Sequence, residues 1–313
     1  MRLKDKVSII TGAGQGIGEA YARRFAAEGA IVIVADINEE KGRAVAASIG
    51  GAAVFERVDV SSEADTTRCV KAVHDRFGRI DVLINNAAIF AGIDNFNSTF
   101  EYLKKIFDVN YFGTWLMCRA VFPYMEQQGS GSVINQSSSA AWMHPTMPTP
   151  DGLPSFHYSV TKAAINAMTH FMAGAVGVSG IRVNAIAPGP TLTDATKESV
   201  PAEILEMIIN MMMAIKKPLQ PDDVTGTAVW LASDDSKMVT GQCIPVDGGM
   251  IMLGEAMWRA ARTRRPPHHH PASRSGNSRR AWMRWSAGAT GPKPTKRMLA
   301  ASAAWWSVSE SPT

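Results

Sequence analysis

Over its first 250 residues the chain alternates short apolar runs with longer amphipathic stretches, and this rhythm constrains the fold more than any other feature. Val7–Ile10, Ile31–Ala35, Val54–Val58, Val82–Ile84, Ser132–Asn135, Arg182–Ala187 and Gln242–Val246 have the length and composition of strands. Between them, Gly18–Glu28, Glu39–Ile49, Glu63–Phe77, Phe100–Gln127, Ser159–Val178 and Asp222–Ala232 repeat apolar residues at helical spacing. Strands alternating with helices imply right-handed crossovers and parallel pairing, with helices on both faces. The expected fold class is therefore α/β: one doubly wound domain built on a seven-stranded parallel sheet. Ligands of such sheets sit at the carboxyl ends of the strands, near the point where strand order reverses.

The first strand runs into TGAGQGIG, Thr11–Gly18, which opens the first helix. A glycine-rich stretch in this context has a mechanical reading. Gly12 permits a tight turn, Gly16 lets the backbone approach a pyrophosphate, and Gly18 removes a side chain where helix meets sheet. The N–H groups of the new helix, from Gln15, Gly16 and Ile17 onward, favour phosphate charge. Asp36 stands at the end of the second strand, where a carboxylate accepts from both adenosine ribose hydroxyls and repels a 2′-phosphate. No cation stands beside it in sequence: position 15 is Gln, and Ile37 and Asn38 follow. NAD is the expected cofactor, in a Rossmann-type domain.

Charge separates that domain from the C-terminal residues. From Trp258 onward there are eleven Lys and Arg against one acid, Glu310, which leaves 21 basic and 27 acidic residues before it. The net +4 of the 313 residues thus hides an acidic body and a basic extension, with the boundary at 257/258. The extension is rich in Arg, Pro, Ser and Gly yet holds five of the eight tryptophans; it reads as a disordered C-terminal segment rather than a nucleic-acid arm. His268–His270 lie within it and are taken as passive. Cys69, Cys118 and Cys243 are scattered, as reduced thiols are and zinc ligands are not. The N-terminus passes from charge straight into a strand, and no run of 18 apolar residues occurs, so a cytoplasmic protein with no membrane partner is expected.

Further motifs come in order along the domain: Asp59–Val60, NNAA at Asn85–Ala88, DVN ending at Asn110, Ser137–Ser139, YSVTK at Tyr158–Lys162, and APGPTLT at Ala187–Thr193. Together with the glycine loop, this set resembles the short-chain dehydrogenase/reductase family across nearly all of residues 1–252. Tyrosine and lysine four apart share one helix face. A free phenol titrates near 10, and a neighbouring cation favours its phenolate, making Tyr158 a usable acid/base at neutral pH. By the resemblance, Lys162 also binds the nicotinamide ribose, Ser138 stabilises the substrate oxygen, and Asn110 orders a proton relay through Lys162. The resemblance likewise implies that Asp59 and Val60 meet adenine, that Asn86 lines the adenosine side, and that Pro188, Gly189, Thr191 and Thr193 hold the carboxamide end.

Two departures bear on substrate. Ala88 stands where the family most often has Gly, a methyl group that the turn is expected to tolerate. Twenty positions separate Ser138 from Tyr158, a longer spacing than the family's usual one, and Pro145, Pro148, Pro150 and Pro154 stiffen the inserted stretch. It is expected to wall the substrate pocket with Trp142, Met143 and His144, while His157 points elsewhere. A lid is expected over about 193–218, where Met207, Met211, Met212 and Met213 offer an adaptable apolar surface; a methionine stripe of this kind equally reads as core. The implied activity is NAD-dependent oxidation or reduction of a hydrophobic, often cyclic, secondary alcohol or ketone. A 3-oxoacyl thioester reductase, which would require NADPH, and a non-catalytic NAD-binding regulator are the alternatives. Relatives of this fold associate as dimers or tetramers, so a homo-oligomer, with the tetramer first, is expected.

Overall fold

A computed structural model describes residues 1–90, 99–142 and 156–251. The expectations for Met143, His144, the four prolines after them and the basic segment from residue 258 lie outside the described residues.

The seven strands are β1 (Val7–Thr11), β2 (Ile31–Asp36), β3 (Ala53–Arg57), β4 (Val82–Asn85), β5 (Gly131–Gln136), β6 (Ile181–Pro188) and β7 (Cys243–Val246). They form one sheet in the order β3-β2-β1-β4-β5-β6-β7, parallel throughout. Strand order reverses between β1 and β4. The strands are apolar on both faces because both faces are covered; every residue of β1 is buried. The two-residue period then sorts the side chains. Ile10, Val32, Val34, Ile84, Ile134 and Ile186 face one core layer; Ile9, Ile33, Leu83, Val133 and Val183 face the other. Each such side chain contributes roughly 1.5–3 kcal/mol by leaving water, and truncating Ile10 or Ile84 to Ala would cost about 2–5 kcal/mol.

Helices α1 (Gly16–Ala27) and α2 (Glu39–Ile49) cover the first layer, and α3 (Glu63–Phe77) the second. Their limits follow local chemistry. Asn38 and Ser62 cap α2 and α3 by accepting from Lys41 N–H and Asp65 N–H, and Gly78 ends α3 at φ +71°. Cys69 and Cys118 are buried in the second layer, where burial pushes each thiol up to about 12.

The periodicity over Phe100–Gln127 predicts one helix, and here the structure differs. Helix α4 (Phe100–Phe107) passes into a π-helical turn, Asp108–Phe112, before α5 (Gly113–Gln128). The turn is imposed from outside the helix: the Asn110 side chain inserts against the backbone of Ile89. Gly113 passes so close to Val60 that a Cβ there would lie 2.8 Å from Val60 Cγ2. Helix α6 (His157–Val176) begins two residues earlier than its spacing suggests, which puts Tyr158 in its first turn. The stretch 193–218 holds α7 (Asp194–Ser199), capped by Thr193, and α8 (Ala202–Met212). Helix α9 (Thr225–Ala232) returns to the first core layer ahead of β7.

Candidate active site

One cavity of about 1340 Å³ runs along the carboxyl ends of the strands, from Gly12–Ile17 and Asp36 to Tyr158, Lys162 and the Pro188–Thr193 loop. At the first end the wall is mostly main chain. Gly12 and Gly16 sit at φ +63° and +60°, a region L side chains rarely adopt. A Cβ on Gly18 would lie 2.1 Å from the Gly12 carbonyl oxygen. The loop is locked to the end of β4: Thr11 Oγ1 accepts from the N–H groups of Asn86 (3.0 Å) and Ala87 (3.1 Å). Asn86 Nδ2 in turn donates to the carbonyls of Thr11 and Gly12, each at 3.0 Å. Asn86, expected on the adenosine side, lines the cavity and also fastens the loop. Loop and helix start leave a concave main-chain surface that fits a dinucleotide pyrophosphate.

Asp36 lies where β2 meets this wall. Its Oδ2 accepts from Gly14 N–H and its Oδ1 from Asn38 N–H, both at 2.8 Å. The absence of a neighbouring cation in sequence does not survive folding. Lys41, in the first turn of α2, lines the same stretch of cavity and donates to Gln15 Oε1. The asparagine cap that starts α2 turns the chain back over the glycine loop, which adjacency in sequence could not reveal. Asp59 and Val60 line the cavity beyond it.

At the other end, Ser138, Tyr158 and Lys162 share the cavity wall. Lys162 Nζ lies 5.4 Å from the Tyr158 ring centre and donates to the Gln136 carbonyl at 2.7 Å. The lysine is buried, and loss of water brings its pKa down from 10.5 to about 7. The three serines part company. Ser137 Oγ donates to the Lys162 carbonyl (3.3 Å), and buried Ser139 turns to Met250 Sδ (3.7 Å). Ser138 is half-buried on the cavity wall, its Oγ accepting from Ala140 N–H at 3.2 Å.

Asn110 is set behind the wall. Its Oδ1 accepts from Ile89 N–H (2.8 Å), and its Nδ2 donates to the Ile89 carbonyl (3.2 Å) and Thr161 Oγ1 (3.3 Å). Trp142 follows the Ser139–Ala141 turn, 40% exposed and outside the cavity lining. His157 is buried against Tyr102 and Phe156. Phe90 is an addition that no motif or period announces: its ring meets Tyr158 edge-on at 5.2 Å.

The Pro188–Thr193 loop closes the cavity. A Cβ on Gly189 would lie 2.8 Å from Asp247 Cα, and one on Gly16 would lie 3.4 Å from the Thr193 methyl. Thr193 thus touches the glycine loop while capping α7. Beyond it Val200, Ile204, Leu205, Met207, Ile208 and Met212 form an apolar wall. The methionine stripe divides: Met213 is core, Met212 and Met207 line the cavity, and half-exposed Met211 does neither. Among the described residues no group of three His, Cys, Asp or Glu is arranged to hold a metal.

Comparison with known proteins agrees with this geometry. The family model described as Enoyl-(Acyl carrier protein) reductase matches residues 12–251. Galactitol 2-dehydrogenase of Agrobacterium fabrum is 39% identical over 262 residues, covering 80% of this chain and 100% of its own. The 3-alpha-(or 20-beta)-hydroxysteroid dehydrogenase of Mycobacterium tuberculosis is 37% identical over 255 residues, covering 80% and 91%. Among solved structures, a 3-ketoacyl-(acyl-carrier-protein) reductase from Brucella melitensis, complexed with NADH, superposes with a TM-score of 0.71 at 31% identity, over 80% of this chain and 100% of that one.

Proposed function

The chain belongs to the short-chain dehydrogenase/reductase family, and we propose that within it the protein is an NAD-dependent oxidoreductase of hydrophobic secondary alcohols and ketones. The observation that carries this reading is the continuous cavity that joins a main-chain phosphate cradle to Ser138, Tyr158 and Lys162. Gly12, Gln15–Gly18, Asp36, Asp59–Val60 and the Pro188–Thr193 loop would hold NAD, which supplies the hydride acceptor in oxidation and, reduced, the donor in the reverse direction.

The protein's own groups handle the proton. Tyr158 takes it from the substrate hydroxyl in oxidation and returns it in reduction. A cationic Lys162 beside the ring favours the phenolate. Ser138 donates to the substrate oxygen, where charge changes most. Asn110 would order a water that relays the proton through Lys162. Its side chain is spent on Ile89 and Thr161, so its main-chain carbonyl, which accepts Thr114 Oγ1 at 2.9 Å, is the group proposed to hold that water. Phe90 braces the Tyr158 ring.

The apolar wall on α8 supports a substrate with a hydrophobic, cyclic body, as does the hydroxysteroid dehydrogenase among the relatives. Met143 belongs to the same proposal as a contact beyond Ser138, whereas the expected contact from Trp142 is withdrawn because its side chain lies outside the cavity lining. A second reading, a 3-oxoacyl thioester reductase, draws support from the Brucella structure, whose NADH removes the objection that such an enzyme must use NADPH. The proposal extends to a cytoplasmic homo-oligomer, a tetramer or dimer, joined through the outer faces of α5 and α6. Exposed Trp115 and Phe171 support this, and the solution mass of the full chain against residues 1–257 tests it. Among the described residues no helix is long and apolar enough to cross a membrane.

Tyr158→Phe tests the chemistry. The variant should bind NADH as wild type does and lose about 10²–10⁴-fold in turnover of cyclic ketones. Wild-type activity in the variant overturns the assignment. A wild-type protein that binds NADH yet turns over neither cyclic alcohols, polyols nor 3-oxoacyl thioesters is a non-catalytic regulator.

A further inference from the structure

We infer that Lys41 is a second determinant of cofactor choice, one that lets the adenosine end of the cavity admit a ribose 2′-phosphate despite Asp36. This rests on the reading that the cavity takes a dinucleotide.

Three observations converge on one spot. A Cβ built on Gly14 would lie 2.9 Å from Asp36 Oδ2 and 3.1 Å from Lys41 Cβ, so carboxylate and lysine stem meet across the same glycine. Lys41 does not use its charge on an acid: among the described residues it forms no ion pair, and its Nζ is held by the neutral amide oxygen of Gln15. Both Asp36 oxygens already receive a backbone N–H, from Gly14 and Asn38. Two N–H dipoles reduce the field that Asp36 projects toward the ribose, while an uncommitted ammonium adds the opposite sign beside it.

A phosphate monoester on the ribose therefore meets a carboxylate that is partly neutralised and a cation that exchanges one neutral acceptor for a charged one. The exchange favours the phosphate, because a charge-assisted hydrogen bond is about twice as strong as a neutral one. Lys41 is exposed, so the gain is screened and stays modest. NAD keeps the advantage, but a smaller one than Asp36 alone would impose. Gln15 positions the ammonium.

Fluorescence titration of the full-length protein with NADH and with NADPH, and competition by 2′,5′-ADP against 5′-ADP, test this without turnover. In wild type both dinucleotides bind, NADH more tightly. In Lys41→Ala the ratio of the NADPH constant to the NADH constant rises roughly fivefold, and 2′,5′-ADP weakens relative to 5′-ADP by the same factor. Asp36→Asn moves both ratios the other way. A Lys41→Ala variant that weakens both dinucleotides alike makes Lys41 a pyrophosphate or rim contact, and one that changes neither makes it a solvated surface lysine. Either result overturns the inference and leaves the dinucleotide reading intact. A wild type that binds neither dinucleotide overturns both.

Discussion

At the cofactor end the cavity wall is backbone: Gly12 and Gly16 bring main-chain atoms to the surface, buried Gly18 packs beneath them against the Gly12 carbonyl, and Thr11 and Asn86 tie the loop to the end of β4. At the substrate end it is side chains: Ile204, Leu205, Met207 and Met212 project from a short helix whose axis is held by Pro201 and by core contacts of Ile209 and Met213. The first wall is sensitive to one added carbon. The second tolerates exchange of one apolar group for another of similar volume. Recognition of an invariant partner and of a variable one thus rests on two materials within one cavity.

The contrast is sharpest in Gly18→Ala. With 2.1 Å available to the new methyl group, the Gly12 carbonyl must move and release Asn86. NADH affinity should fall on the order of a hundredfold, with a melting point lower by several degrees; binding within a few-fold of wild type would break the claim that this wall cannot adjust.

Lys162 sits between the two materials and gives a measurement in pH. Its folded pKa is about 7, against 10.5 for the free group. Between these values the unfolded chain holds a proton that the folded chain has lost, so the stability of the nucleotide-free protein rises with pH across this window. The contribution is lost as pH falls through 7, below which both states are protonated. Thermal melts from pH 6.5 to 9.5 should show a component rising by on the order of 5 °C. Lys162→Met should remove that component; an unchanged slope would mean that water reaches the amine.

A smaller effect tests the side-chain wall. Met207→Gln puts a polar group on the α8 wall of the cavity with little change in volume. KM for cyclic ketones should rise roughly threefold to tenfold, with NADH affinity unmoved. A change in NADH affinity instead would show that the two walls are not separate.

The same contrast explains what the sequence discloses. Strands and glycine loop are legible because their causes are local: buried parallel strands need continuous apolar runs, and glycine adopts the loop's positive φ angles without the strain that most side chains meet there. The π turn at Asn110 is not, because its cause is Ile89, twenty-one positions away, while the helical period runs through it unbroken. Lys41 is missed for a related reason: the Asn38 cap folds it back over residue 15. Phe90 and Met250 enter the cavity from segments with no period. The sorting of the three serines follows partners distant in sequence, Lys162 for Ser137 and Met250 for Ser139, which composition does not encode.

Crowding at Gly18 also says where this site is open to redesign. The glycine positions have no neighbouring substitution that leaves the loop intact, so they offer an engineer nothing to tune. Residues 15, 36, 38 and 41 form a rim of replaceable side chains around that unchangeable floor. On the proposed reading, a library at residues 15 and 41 should shift the balance between the two redox pools and leave folding and the proton chemistry at Tyr158 undisturbed. Changes at 36 and 38, by contrast, also remove the bonds that hold Gly14 N–H and cap α2.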